Sequence, residues 1–381
     1  MLFYIIFIHS IFKACTMKKA LHQKDYRFSI LFILIVMLTI NNSNGQLLKV
    51  GVAGLNHDHA YGLMHQYKNN EVIIIGIAEK DKQLVNRYKQ TYGLPDSIFY
   101  DDVTTMLQHI KPDAVLAYNA IADHLSVVEA CAPKGIPVMV EKPLATTLQQ
   151  AMRIQALAKQ YNVPILTNYE TTWYPSNQQV YEMVHQQNTI GDVRKIVVHD
   201  GHQGPKEIGC SKDFLAWLTD PVKNGAGALT DFGCYGANLM TWMMNGQAPV
   251  AVTAVARHIK PSVYPKVEDD ATILVEYPAA TGIIEASWNW PFGIKDMEVF
   301  GTTGYLHALN SNTVEQRDTG NYKKIPVKAP VYADNLSYLA AVLRGQYNPG
   351  NDLSSLPNNI IVVRILEAAK ESIKQGKRIV L

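Results

Sequence analysis

The sequence has few cysteines and almost no net charge. Only four cysteines occur among 381 residues, and none forms a C-x-x-C pair or a Cys/His pair at metal-binding spacing. This pattern predicts neither a zinc site, nor any other metal centre, nor a disulfide framework. The formal net charge is +2, from 35 basic and 33 acidic side chains without a basic stripe. Nucleic acid is therefore not an expected partner.

Residues 1–46 differ in composition from the rest of the chain. From Met17 a basic stretch leads into an apolar run over residues 28–40, and small and polar residues follow up to Gln46. A run of about 13 apolar residues is short for a membrane span and typical of a secretory signal peptide. We predict that the chain starts at Met17 and not Met1, and that the protein is exported, periplasmic or secreted, without stable membrane association after cleavage. An uncleaved N-terminal membrane anchor is the alternative.

Apolar strands alternate with helical segments over residues 47–169. The predicted strands cover residues 47–53, 71–78, 114–118, 136–140 and 163–169. Strands separated by helices imply right-handed βαβ crossovers and a parallel sheet. The length of the chain allows roughly two domains. We predict an α/β fold in which residues 47–169 form a Rossmann-type, doubly wound first domain.

The first strand ends in a turn of the kind that binds dinucleotides. Gly54 and Leu55 follow the strand, Asn56 and His57 come next, and a helical pattern begins soon after. This layout places backbone N–H groups at a helix N-terminus against a pyrophosphate. Of the glycines in G-x-G-x-x-G only the first is present, because Asn56 and His59 stand at the second and third positions. A plain βα turn without a ligand is the alternative.

Polar side chains also follow two other predicted strands. Glu79 ends the second strand, where an acidic residue accepts hydrogen bonds from the adenosine ribose. A carboxylate would repel the 2′-phosphate of NADP, so NAD is favoured and NADP is the alternative. Asn119 and His124 follow the strand over residues 114–118. We place both on the same rim, as cofactor-binding residues or as structural caps.

The strand over residues 136–140 ends in Glu141, Lys142 and Pro143. Proline disfavours helix at the residue before it, so Lys142 leaves the sheet at the carboxyl end of a strand, where ligands of doubly wound sheets bind. Burial against a cofactor would lower the pKa of this lysine until the amine exchanges protons with a substrate hydroxyl. Lys142 is therefore our first catalytic candidate, with Glu141 beside it in the cofactor site. A solvated surface ion pair is the alternative.

After Tyr169 strand-length segments follow one another largely without helices between them. This pattern predicts that residues 170–381 form a second α+β domain with an open, mostly antiparallel sheet, one face of which is free for a homo-oligomeric partner. A helical insertion carries Asp231 and Tyr235, which are four residues apart and so share a helix face. A carboxylate and a phenol on one face could hold a polyol and relay its proton. An N-cap aspartate with a core tyrosine is the alternative.

Together these motifs resemble the Gfo/Idh/MocA family of oxidoreductases, which includes glucose-fructose oxidoreductase and inositol dehydrogenase. The likeness rests on V-G-V-A-G at residues 50–54, E-K-P-L-A at residues 141–145 and D-x-G-x-Y-x-x-N at residues 231–238. The resemblance implies an N-terminal NAD(P)-binding domain, a C-terminal α/β domain whose sheet often forms the oligomer interface, and hydride transfer at a sugar or polyol carbon. It also implies the catalytic lysine position for Lys142, an aspartate role for Asp231, and for Tyr235 the place usually held by histidine.

We therefore predict an exported NAD(P)-dependent oxidoreductase that acts on a small carbohydrate or polyol. Lys142 and Tyr235 would shuttle the hydroxyl proton while Asp231 orients them. Because free NAD is scarce outside the cytoplasm, the cofactor would be tightly bound and recycled within one catalytic cycle. Two alternatives remain open: an NAD-dependent glycoside hydrolase that uses transient oxidation, and a non-catalytic carbohydrate-binding relative.

Overall fold

The computed structural model describes residues 46–381, and the predicted leader lies outside them. The N-terminal half contains a six-stranded sheet in the order β3-β2-β1-β4-β5-β6, and every pair in it is parallel. Its strands are β1 (Lys49–Ala53), β2 (Ile73–Ala78), β3 (Phe99–Tyr100), β4 (Ala114–Ala117), β5 (Val138–Glu141) and β6 (Ile165–Asn168). The order changes direction between β1 and β4, which is the switch point where doubly wound sheets bind ligands. The predicted Rossmann-type sheet is confirmed.

Helices cover both faces of this sheet. They are α1 (Ala60–Lys68), α2 (Lys82–Tyr92), α3 (Val103–His109), α4 (His124–Cys131) and α5 (Leu148–Tyr161). Successive side chains of β5 point to opposite faces of the sheet. Val138 and Val140 pack with α4 and α5 in the core on one face, and Met139 packs with α1 and α2 in the core on the other face. A strand that is buried on both faces reads as a continuous apolar run, which is why these strands are visible in the sequence.

The second sheet has nine strands in the order β14-β13-β12-β11-β7-β10-β9-β8-β15. They are β7 (Val193–Gly201), β8 (Ala251–Arg257), β9 (Asp270–Glu276), β10 (Thr281–Ser287), β11 (Ile294–Gly301), β12 (Tyr305–Asn310), β13 (Thr313–Arg317), β14 (Lys323–Ile325) and β15 (Ile379–Val380). β7 and β10 are parallel, and the other pairs are antiparallel. The prediction of a mostly antiparallel sheet is therefore confirmed.

Six helices lie between residues 175 and 375, and two of them cover the inner face of this sheet. They are α6 (Pro175–His185), α7 (Lys212–Leu218), α8 (Ala228–Asp231), α9 (Gly233–Met243), α10 (Asn335–Leu343) and α11 (Leu356–Gln375). Every residue of α9 is buried, and α9 and α11 share the core of the inner face. In residues 46–381 no helix has both the length and the apolar character that a bilayer crossing demands.

The helical insertion differs from its predicted form. Asp231 and Tyr235 do not share one helix, because α8 ends at Asp231 and α9 begins two residues later at Gly233. Phe232 between them has φ −105° and ψ −33°, and glycine is a poor helix former at the junction. The two side chains are linked through Lys142, whose Nζ binds Asp231 and lies 4.9 Å from the centroid of the Tyr235 ring.

Candidate active site

Lys142 directly follows β5, and its ammonium is buried against Asp231. Nζ donates to Oδ1 of Asp231 at 2.5 Å and to the Asp231 carbonyl at 3.1 Å. Trp288 Nε1 donates to the other carboxylate oxygen at 3.0 Å. Both charged side chains are nearly inaccessible to solvent, at 6% and 7% exposure. Lys142 and Asp231 thus form a buried ion pair at the carboxyl ends of the parallel strands.

The pKa of Lys142 moves in the direction opposite to our expectation. Burial is the largest influence and alone would lower it, but the charge of Asp231 and its hydrogen bond to Nζ act in the other direction, and the net pKa is raised. For Asp231, burial would raise the pKa, and the Lys142 ammonium outweighs this and lowers it. In the free protein Lys142 is therefore a charged hydrogen-bond donor, because a carboxylate 89 residues away in sequence holds the proton on it.

Tyr235 lies beside this pair, near two ammonium groups. Nζ of Lys142 is 4.9 Å from the centroid of its ring, and Nζ of Lys295 is 4.3 Å from it. Burial raises the pKa of the Tyr235 phenol well above its ordinary value, and the Glu170 and Asp200 carboxyl groups act in the same direction. Tyr235 is therefore a neutral phenol that can donate a proton, next to two cations that would stabilise a negative oxygen.

A second charged cluster on the far side of Tyr235 was not among the sequence candidates. Lys295 donates to Oε2 of Glu170 at 2.5 Å and lies 4.0 Å from Oδ1 of Asp200. Burial opposes ionisation of Glu170, yet Lys295 lowers the pKa of that carboxyl to about 2. Glu170 follows β6, so its place at a strand end was a usable signal. Lys295 had none, because its charge and that of Asp296 interrupt the apolar pattern near the start of β11.

Asp200 differs from Glu170 because its carboxyl group is protonated at neutral pH. The side chain is fully buried and neither carboxyl oxygen has a hydrogen-bond partner. Burial raises the pKa of Asp200 to about 8, although the nearby Lys295 and Lys142 oppose this shift. At neutral pH the cluster therefore contains one carboxylate, Glu170, and one carboxylic acid, Asp200.

Asp200 should make the stability of the protein depend on pH. The folded state holds its proton up to about pH 8, whereas an unfolded aspartate releases it near pH 4. Between these values the folded state binds more protons, so the free energy of unfolding should fall as pH rises, by up to about 1.4 kcal/mol per pH unit. We expect Asp200→Asn to flatten this slope in urea unfolding measured from pH 4 to pH 8. An unchanged slope in Asp200→Asn, or an equal change in the exposed-site control Asp101→Asn, would contradict the assignment.

The turn after β1 is tied to the end of β2. Gly54 has φ +81°, and a Cβ there would lie 2.7 Å from the Cβ of Asn119, so only glycine fits. The N–H groups of Leu55 and Asp81 donate to the two oxygens of the Glu79 carboxylate, each at 2.9 Å. Glu79 therefore shapes the turn, and its carboxylate keeps further lone pairs for ribose hydroxyls.

Four buried polar atoms along this edge have no hydrogen-bond partner. They are Oδ1 of Asn56, Nε2 of His57, Oδ1 of Asn119 and Nε2 of His124. Burial lowers the pKa of His124 to about 4 and that of His57 well below its ordinary value, so both rings are neutral. Unpaired buried polar atoms cost about 1–3 kcal/mol each. A polar ligand along β1 and β4 would satisfy them, and in this respect the residues fit a dinucleotide.

His59 contacts Glu141 at the mouth of the turn. Its Nδ1 donates to Oε2 of Glu141 at 2.8 Å, and Nδ2 of Asn168 donates to Oε1 at 2.8 Å. Burial would raise the pKa of Glu141, but His59 and Asn168 outweigh burial and lower it. The ring of His57 lies 4.4 Å from that of His59. Imidazoles thus stand where glycines would otherwise let phosphates approach, a feature that the sequence already indicates.

A segment of the second half of the chain covers this turn. Trp217 on α7 donates through Nε1 to the carbonyl of Asn56 at 3.0 Å, and the Ser211 N–H donates to Asp58 at 2.8 Å. The rings of Phe214 and Trp217 lie 4.7 Å and 5.3 Å from the ring of His57. The cleft edge is therefore enclosed between the turn and α7.

Two other polar features lie outside this cluster. Asn238 donates to the carbonyl of Leu353 at 2.8 Å and so faces α11 and not Lys142. A cavity of about 730 Å³ lies between α6, the end of α9 and the loop over residues 328–332, and neither Lys142, Asp231 nor Tyr235 lines it. We therefore do not assign the chemistry to that cavity.

Two family models match the chain. The model described as an oxidoreductase family with an NAD-binding Rossmann fold matches residues 48–169, and the GFO/IDH/MocA C-terminal domain matches residues 177–307. Together they cover about two thirds of the sequence.

Curated relatives are distant. The trans-1,2-dihydrobenzene-1,2-diol dehydrogenase of Xenopus tropicalis is 26% identical over 48% of this chain and 51% of its own length. That of Bos taurus is 22% identical over 72% of this chain and 78% of its own length. The D-apiose dehydrogenase of Paraburkholderia graminis is 26% identical over 37% of this chain and 36% of its own. The chain thus spans about half the length of the first of these relatives.

Solved structures share the fold at low identity. An aldose-aldose oxidoreductase from Caulobacter crescentus, complexed with glycerol, superposes with a TM-score of 0.74 at 20% identity, over 88% of this chain and 100% of that one. An inositol dehydrogenase homologue from Azotobacter vinelandii, complexed with NAD+, has a TM-score of 0.74 at 18% identity, over 88% and 98%. At this identity the likeness shows the fold.

Proposed function

This chain belongs to the Gfo/Idh/MocA family of NAD-binding oxidoreductases, and we propose that it transfers a hydride at a carbon of a small carbohydrate or polyol. The observation that carries the proposal is the buried group of Lys142, Asp231 and Tyr235 at the carboxyl end of β5. It lies next to a turn whose buried polar atoms lack partners. A proton donor beside a cofactor edge is what the oxygen of an alcohol or ketone requires.

The residues divide into a cofactor group and a proton group. When bound, NAD supplies or accepts the hydride through its nicotinamide. The turn of Gly54 and Leu55 would lie against its phosphates, and Glu79 would accept hydrogen bonds from a ribose. Asn119 and His124 line the same edge, and Glu141 lies next to Lys142.

Lys142 and Tyr235 would act on the substrate oxygen. In reduction the phenol or the ammonium donates a proton to it, and in oxidation one of them accepts the proton. Asp231 keeps the Lys142 side chain in place through the 2.5 Å contact. In the free protein the Lys142 ammonium and the Tyr235 phenol both carry their protons. Either group could therefore donate a proton to the oxygen of a carbonyl substrate during reduction.

The substrate class is supported by the named relatives. The dehydrogenases of Xenopus tropicalis and Paraburkholderia graminis act, by name, on a diol and on D-apiose. One Azotobacter vinelandii structure holds NADH with myo-inositol. These compounds share neighbouring hydroxyl groups, which a cluster of ammonium, phenol and carboxylate groups can bind through several hydrogen bonds.

Turnover with a panel of such compounds tests the function. The full chain, mixed with NAD+ and with myo-inositol, glycerol, D-apiose or common aldoses, should form reduced nicotinamide with at least one of them. Mass spectrometry of the denatured protein should identify the bound nucleotide. If the protein holds no nucleotide and takes up neither NAD nor NADP at millimolar concentration, hydride transfer is ruled out and the carbohydrate-binding alternative gains support.

Tight binding of NAD, rather than NADP, is a further part of the proposal. Trp217 and Phe214 enclose the turn from outside, which would slow release of a bound nucleotide. Glu79 places a carboxylate at the end of β2, where a 2′-phosphate would be repelled. An enclosed cofactor that is regenerated in place also suits glycoside cleavage by transient oxidation. Hydrolysis of nitrophenyl glycosides without net formation of reduced nicotinamide would select that alternative.

We also propose that the protein is exported and that it forms a homo-oligomer. The basic and apolar pattern of residues 17–46 supports export, and N-terminal sequencing of the secreted or periplasmic protein would locate a cleavage site. The outer face of the second sheet supports a homo-oligomer, because Val255 is 61% exposed and Phe300 is 36% exposed there. Light scattering of the purified protein would give its mass in solution.

A further inference from the structure

We propose that His57, His59 and Glu141 form a binding site for a divalent transition-metal ion of the zinc class. One ligand atom from each of these side chains lies within 4.8 Å of the others. The two histidines come from the turn after β1 and the glutamate from the end of β5, so the fold brings together groups that are distant in sequence. Cysteine and histidine spacing could not reveal this site, because its third member lies 82 residues from His59.

The site offers two imidazoles and one carboxylate. Imidazole and carboxylate are ligand types that bind zinc-class ions.

His57 has an unpaired buried nitrogen, which a metal ion could satisfy in place of the dinucleotide. Its side chain is 1% exposed, and its Nε2 atom has no hydrogen-bond partner. An unpaired buried nitrogen costs about 1–3 kcal/mol, which a coordinate bond would offset. Coordination through Nε2 moves the ring proton to Nδ1, so the 3.1 Å bond from the His59 N–H to Nδ1 would be given up. That bond is long, and its loss is small beside a metal–nitrogen bond.

Glu141 is held by a chain of outer contacts. Asn168 donates through Nδ2 to its Oε1 at 2.8 Å, and Trp173 Nε1 donates to Oδ1 of Asn168 at 3.0 Å. Such outer contacts fix the orientation of metal ligands. Without an ion, the other oxygen, Oε2, accepts a hydrogen bond from Nδ1 of His59 at 2.8 Å. An ion between these groups would replace that shared proton, so its affinity should fall as pH falls.

The site has one open side. The His59 side chain is 39% exposed, whereas Glu141 is 2% exposed. Three protein ligands with an open fourth position are typical of catalytic rather than structural zinc sites.

Metal titration of the full chain tests the proposal without any need for turnover. The protein is stripped with a chelator and titrated with Zn²⁺ and with Co²⁺, whose absorption spectrum reports nitrogen and oxygen ligands. We expect one ion per chain. His57→Ala and His59→Ala should each weaken binding by more than the 10–100-fold that loss of an outer contact causes. His65→Ala, on the exposed face of α1, is the matched control and should bind as the wild type does.

Two results would overturn the site: no stoichiometric binding of either ion, or equal binding by wild type, His57→Ala and His59→Ala. If His57→Ala does not fold, the partly exposed His59→Ala and the near-isosteric Glu141→Gln decide the matter in the same way. The titration uses no nucleotide. A protein that binds NAD but no metal therefore loses the ion site and keeps the proposed redox function.

Discussion

Lys142→Met is expected to lower the rate of hydride transfer by about 10²–10⁴-fold, the range for removal of a general acid–base group. Lys142 is buried and points its ammonium at Asp231 beside Tyr235, so no solvent group can take its place. Methionine fills the space of the aliphatic side chain without a proton. The measurement is single-turnover formation of reduced nicotinamide, with bound NAD quantified in the same sample.

Two controls define this result. Lys82→Met removes a lysine that is 71% exposed and paired with Asp101 on the surface, and it should leave the rate unchanged. Lys142→Arg keeps a positive charge but cannot exchange the proton, since arginine stays protonated. A large loss in Lys142→Arg would assign proton transfer to the lysine. Rates within about twofold of wild type in Lys142→Met, against the range above, would remove Lys142 from the mechanism.

The second large effect concerns stability. Asp231→Ala should lower the free energy of unfolding by about 3–5 kcal/mol, because it leaves the Lys142 ammonium buried without a counter-ion. It also leaves the Trp288 N–H without its acceptor at 3.0 Å. Urea unfolding followed by circular dichroism gives the measurement. The surface control Asp101→Ala should cost about 0–1 kcal/mol.

A double variant separates lost charge pairing from lost packing. Lys142→Met combined with Asp231→Leu replaces both charges by apolar groups, which often restores the stability of a buried pair. We expect the double variant to be more stable than the single variant Asp231→Leu. If the effects of Lys142→Met and Asp231→Leu on the free energy of unfolding simply add in the double variant, the ion pair does not govern the stability of this part of the protein.

Much of the fold follows from local patterns. The parallel strands are buried on both faces, so each is a short apolar run bounded by turn residues. The glutamate–lysine–proline sequence at the end of β5 can also be recognised from the sequence, because proline marks where the strand stops. Lys142, Glu141 and the turn at Gly54 could therefore be assigned to the edge of the sheet from the sequence alone.

Other features depend on contacts between distant segments. The pKa of Lys142 rises rather than falls because Asp231 arrives from the second half of the chain, which no local pattern shows. Lys295 belongs to β11, but its charge hid the start of that strand, and the compensating Glu170 lies 125 residues earlier. Asp231 and Tyr235 have helical spacing, yet one helix ends at Asp231 and the next begins at Gly233. Pairing of charges in the core thus limits what composition and periodicity can predict.

A crystal structure of the full chain with NAD+ tests the account most directly. Hydride transfer needs the reacting carbons about 3–3.5 Å apart and the proton donor about 2.6–3.2 Å from the substrate oxygen. We therefore expect the reactive nicotinamide carbon within roughly 6 Å of the Lys142 Nζ atom. A nicotinamide bound away from Lys142, or a turn that stays filled by the His57 and His59 rings and free of nucleotide at millimolar NAD+, would contradict the account.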